Sequence, residues 1–100
     1  EKLSIGQAKL LMGQCEAVRP LLRDMVALMS IPLIQGTLRY AYKIDKMAGG
    51  GKEKGEGAIF AAAIVPRVYH CSNADGDTIM NHMKIGASST SFAAVKAAFE

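Results

Sequence analysis

Aromatic residues are scarce in this chain, six among 100, so large rings cannot supply most of an interior. Long apolar runs are absent as well. The longest, Ala58 to Pro66, falls well short of the roughly 18 to 20 residues that a bilayer-spanning helix requires, which excludes a transmembrane segment of that kind. Charge of one sign is not concentrated either: twelve Lys and Arg stand against nine Asp and Glu, and the net +3 is scattered except for Lys43, Lys46, Lys52 and Lys54 around a run of glycines. Such a mild field suits a solvated face better than a phosphate-binding stripe, and nucleic acid is not an expected partner. The opening Glu1-Lys2-Leu3-Ser4 has no basic start followed by an apolar core, so it does not read as a signal peptide. There is no internal repeat, heptad array or alternation of strand period.

What is present is small and aliphatic. Half of the residues are apolar, with Ala, Leu, Ile, Val and Met dominant, and a chain of this length buries roughly two-thirds of its extended surface on folding. These are helix formers, so the expected fold is all-α: a compact bundle of about five or six short helices with a Gly-rich loop, one domain over residues 1–100. The closing Phe92-Ala93-Ala94-Val95-Lys96-Ala97-Ala98-Phe99-Glu100 carries no stop signal and reads as the interior of an element, as in a piece of a longer protein.

Start and stop residues divide the chain. Ser4-Ile5-Gly6-Gln7 matches a capping box, and Ile5, Ala8, Leu11, Met12 and Cys15 recur at helical spacing on what should be a buried face. Pro20 suits a first turn, so a second helix is expected from about Arg19, with Leu22, Met25, Val26 and Met29 inward. Ser30-Ile31-Pro32 repeats that grammar for a third helix, whose Leu33, Thr37, Tyr40, Ala41 and Ile44 oppose the polar Gln35, Arg39, Lys43 and Lys46. Ala48 to Gly57 holds five glycines and no apolar anchor, and is expected to be a flexible loop. Ala58 to Cys71 is apolar almost all round, as in a central helix, with a kink or break expected at Pro66. Asn73 to Asp77 is a turn and cap cluster before a short helix through Ile79, Met80 and Met83, which Gly86 stops. Ser88-Ser89-Thr90-Ser91 then offers caps for a last helix with Phe92, Val95 and Phe99 on one face.

Several groups of residues could carry chemistry. Cys15 and Cys71 are the only cysteines, and an even number permits a disulfide as well as two free thiols. A bridge between them would contribute roughly 4 kcal/mol in the chain-entropy account. His70, Asp75, Asp77 and His82 are residue types that bind Fe, Zn or Mn when they converge, though their spacing fits no standard zinc or calcium pattern and helix capping explains the aspartates equally. Glu53 and Glu56, three apart, offer hard oxygens to ferric iron, or are simply solvated. Tyr40, Tyr42 and Tyr69 with Arg39 and Arg67 could supply phenolate and anion-binding groups, or core rings with wet hydroxyls. Gly49-Gly50-Gly51-Lys52 is no phosphate loop, because Glu53 stands where Ser or Thr is needed and no strand precedes it. No nucleophile and base arrangement suggests an enzyme.

Three strings, Leu11-Met12-Gly13-Gln14-Cys15, Ile31 to Tyr42, and Glu56 to Pro66, together with the closing Met83 to Phe99, resemble the low-iron-inducible periplasmic proteins of algae, an iron-assimilation family. The likeness spans most of the chain. It implies a secreted or periplasmic, non-catalytic helical protein that binds or presents iron to cell-surface uptake machinery, with Cys15 and Cys71 oxidised and Glu53 and Glu56 as the glutamate pair that holds the metal. The competing reading is an accessory helical subunit of a larger assembly, such as one beside a photosynthetic membrane, that docks through alanine- and methionine-rich surfaces without a metal of its own. A third is a pigment carrier in which His70 or His82 ligates a tetrapyrrole.

Overall fold

The protein is described over residues 1–100 by a computed structural model with five α-helices and no strand. They are α1 (Lys2–Leu11), α2 (Cys15–Lys46), α3 (Gly51–Cys71), α4 (Asn73–Met83) and α5 (Phe92–Phe99). The fold is all-α, as expected. Contacts group the chain into two compact units, Glu1–Ile31 and Pro32–Glu100, with the boundary inside α2, where the sequence reads as one domain. No helix is long and apolar enough to cross a membrane.

Helix boundaries depart from the sequence punctuation at the prolines. Pro20, Pro32 and Pro66 all lie inside helices, so the expected starts near Arg19 and Ser30 and the break at Pro66 are absent. Each proline deprives the carbonyl four residues earlier of its amide, but all three sit on exposed faces, as do Glu16, Leu28 and Ala62, so water can take the freed carbonyls. Ser30 is accordingly no cap. Its hydroxyl donates to the Val26 carbonyl at 2.8 Å, and Thr37 bonds Leu33 in the same way at 2.8 Å.

The first unit is a helical hairpin of α1 and the first part of α2, turned at Gly13, whose φ of +73° is the left-handed conformation that favours glycine. Ser4 lies within α1, which starts at Lys2 without a side-chain cap, so the expected capping box does not form. Cys15 opens α2 and is exposed; it does not end the first helix on a buried face. Only Gly6, Val18 and Ser30 are buried in this unit, and the expected inward residues Leu11 (82% exposed), Met12 (68%) and Met29 (61%) face solvent. A two-helix hairpin offers each helix one neighbour, so most of a wide apolar stripe has nothing to pack against.

The second unit has the core. Ala41 from α2, Ala61 and Val65 from α3, Ile79 and Met83 from α4, and Val95 from α5 form a buried cluster, flanked by Leu38, Tyr40, Ile44, Val68, Tyr69, Phe92 and Phe99. The face expected of the last helix is therefore the one it buries. Residues Gly51 to Gly57, expected in a flexible loop, form the first two turns of α3. Three glycines in a helix weaken it by about 1 kcal/mol each relative to alanine, and two features offset this. Glu53 accepts the Gly50 amide at 3.0 Å, and Gly57 is buried where α3 meets α2, with a Cβ at that position only 2.9 Å from the Tyr40 Cβ and 3.0 Å from the Met83 Cε. Of the α3 glycines, Gly57 serves close packing. Serine caps begin the last two helices: Ser72 accepts the Asp75 amide at 3.3 Å and Ser91 the Ala94 amide at 3.2 Å.

Candidate functional site

Four of the six residues proposed as metal ligands, Glu53, Glu56, Asp77 and His82, are engaged singly through their side chains in structural hydrogen bonds. Glu53 caps α3, as above. Glu56, one turn further along, accepts the Tyr40 hydroxyl, which ties α3 to α2. The phenol so held has its pKa raised above 10.0, first by that hydrogen bond and then by burial and the Glu56 charge. Tyr40 also stacks on Phe60 with centroids 5.7 Å apart, and the Lys43 ammonium lies 5.5 Å from its ring centre.

A second tyrosine–carboxylate pair joins α3 to α4. The Tyr69 hydroxyl donates to Asp77 at 2.6 Å, and this bond, ahead of burial and the Asp77 charge, raises the Tyr69 pKa above 10.0. Asp75 lies in the first turn of α4, where its amide donates to Ser72. His70 is exposed in the last turn of α3. His82 is half-buried near the end of α4; its Nδ1 accepts the Ser91 amide at 3.2 Å and its carbonyl accepts the Thr90 hydroxyl at 2.7 Å, so it anchors the segment that leads into α5. Nowhere do three His, Cys, Asp or Glu side chains gather closely enough to hold a metal ion, and every buried side-chain nitrogen and oxygen has a hydrogen-bond partner. The sequence set Glu53, Glu56, His70, Asp75, Asp77 and His82 is thus not assembled into a centre. Cys15 and Cys71 are likewise not joined: both are free and exposed thiols, one opening α2 in the first unit and the other closing α3 in the second.

Two features escaped the sequence reading. Asp45 accepts the Phe92 amide at 2.8 Å across 47 residues and so fastens the start of α5 to α2. That bond, with help from Lys46 at 3.4 Å and against partial desolvation, holds the Asp45 pKa below its ordinary 3.8. No local pattern could have revealed it.

The other feature is surface. Of the fourteen large apolar side chains that stand exposed, ten belong to Glu1–Ile31, less than a third of the chain. Three of the ten, Leu3, Leu10 and Leu22, border a groove of about 430 Å³ between α1 and α2, lined also by Leu21 and Met25 over Gly6 and Val18. The one charged residue in its lining, Lys2, is paired with Asp24 at 2.9 Å. The lining of this channel is mostly aliphatic. Compared with protein-family models, with curated proteins and with solved structures, the chain matches none.

Proposed function

We propose that this protein is a non-catalytic accessory module that docks on a larger protein assembly, its α1–α2 groove receiving the apolar face of a partner helix. The observation that supports this reading is the crowding of exposed Leu, Ile, Val and Met into Glu1–Ile31. A contiguous apolar patch beyond a few hundred Å² is uncommon on a free monomer and marks an interface. The pairing of Lys2 with Asp24 favours a helix presenting aliphatic side chains over an anionic membrane or nucleic acid, because Lys2 is the only charged residue in the groove lining.

The test is the size at which the protein runs in an extract of its source under native conditions. It should elute with a larger complex, and the Leu10→Asp/Leu22→Asp variant, of unchanged helical circular dichroism, should elute as the free chain. Wild type running as the free chain in that extract would overturn the proposal, and so would a concentration-dependent dimer of the purified protein that accounts for the whole size shift.

The iron-assimilation reading, with its extracytoplasmic location, is supported by the likeness of strings to the algal low-iron family. Its ligands would be Glu53 and Glu56, whose carboxylates already serve the Gly50 amide and the Tyr40 hydroxyl. Ferric titration separates the two readings. The docking module should bind no stoichiometric iron, whereas an iron protein should bind it and lose it on Glu53→Ala/Glu56→Ala substitution.

A further inference from the structure

A second groove, in the Pro32–Glu100 unit, has a different character. It lies where α2 meets the start of α5, holds about 410 Å³, and is floored by Leu38, Tyr42, Met47 and Phe92. The Tyr42 and Phe92 rings meet edge to face at 5.3 Å, yet Tyr42 remains 47% exposed and Met47 65%. Arg39 and Lys43 border this floor, and neither forms a salt bridge.

Their lack of partners follows from how the acids of the adjoining segments are used. Asp45 is held by the Phe92 amide and Lys46, Glu53 by the Gly50 amide, and Glu56 by the Tyr40 hydroxyl. Two cations without an ion-pair partner, Arg39 and the Lys43 that lies over the Tyr40 ring, therefore stand beside uncovered apolar side chains. From this charge complementarity we infer that the groove docks an acidic amphipathic helix of a partner protein, which sets aliphatic side chains on Leu38, Tyr42, Met47 and Phe92 and carboxylates on Arg39 and Lys43. The groove is broad and open, which suits a helix face better than a small apolar carboxylate, since small ligands sit in sites that enclose most of their surface. The site stands on other residues than the α1–α2 groove, and either can hold without the other.

The probe is a fluorescent synthetic peptide of Leu and Glu at amphipathic helical spacing, followed by anisotropy and by amide NMR shifts, with a Leu and Lys peptide and sodium decanoate as counter-probes. The acidic peptide should bind, shift amides of Leu38 to Met47 and Phe92, and weaken as salt rises. Arg39→Glu/Lys43→Glu should weaken it by about tenfold. If that variant fails to fold, Arg39→Gln takes its place and should weaken binding by a smaller factor. Failure of the acidic peptide to bind, equal binding of the Lys peptide, shifts confined to Glu1–Ile31, or binding of decanoate alone would each overturn the inference.

Discussion

A single methyl group distinguishes the two kinds of glycine in α3. Gly55 has no atom within 4 Å of where a Cβ would stand, so Gly55→Ala should stabilise the protein by about 1 kcal/mol through helix propensity alone. Gly57→Ala gains the same propensity but drives its methyl against the Tyr40 Cβ, which is fixed to backbone and cannot swing away. Overpacking of this kind outweighs the gain, and a net loss of about 1 kcal/mol is expected in urea unfolding. The titrating residues set opposite limits of pH. Asp45 has a depressed pKa when folded, so its contribution is present above its ordinary 3.8 and disappears as the pH falls through the lower folded value; Asp45→Asn should lose much of that acid-side dependence. Tyr40 and Tyr69 have raised values, so their contribution is present below 10.0 and fades as the pH climbs through the folded values, an alkaline loss that Tyr40→Phe/Tyr69→Phe should reduce. Both thiols, being exposed, should react with a disulfide reagent in the native protein without denaturant, and reductant should leave the melting temperature unchanged.

At the scale of elements, proline was the misleading residue and serine the partly reliable one. A proline near a serine reads as a helix start, yet the same pair is tolerated inside α2 because Pro32 and Leu28 face water. The Leu28 carbonyl nevertheless forgoes its helical bond. Pro32→Ala should restore it and stabilise the native protein by about 2 kcal/mol, allowing for the greater freedom that alanine gives the unfolded chain. The check is a higher melting temperature with more helical circular dichroism. Ser91, one of the four cap candidates from Ser88 to Ser91, caps α5, while Ser4, in an equally good pattern, caps nothing because α1 begins earlier. Helix existence and the α5 core face were therefore legible, and boundaries were not. The glycine run failed for a related reason: its residues are weak helix formers in isolation, but at Gly57 Tyr40 and Met83 pack where only glycine fits.

For the whole molecule, the uneven division of apolar surface is the property with consequences. Pro32–Glu100 buries its aliphatic faces in one cluster spanning four helices, whereas Glu1–Ile31 leaves most of its own in water. The purified wild-type chain should therefore bind a hydrophobic dye, and Leu10→Asp/Leu22→Asp should remove most of that signal without loss of helix. Equal dye binding by both would mean that the exposed face is not where the fold presents its apolar surface. The proposed metal residues illustrate the same limit at long range. Nearness in sequence suggested a cluster, but a helix turns successive side chains through about 100° each, and Glu53, Glu56, Asp77 and His82 found partners in backbone amides and phenols instead.

By itself the sequence determined that this protein is helical, since Ala, Leu and Met at a period near 3.6 leave no other regular structure in which their apolar atoms fall on one side. It also placed a cap for the last helix among Ser88 to Ser91 and marked which side of that helix would be apolar. Only the tertiary structure decided which of the stripes became a core and which remained a surface, that Asp45 would hold α5, and that two thiols would stay apart. Periodicity records which side chains share a face of a helix, while burial and bonding depend on what the chain brings against that face.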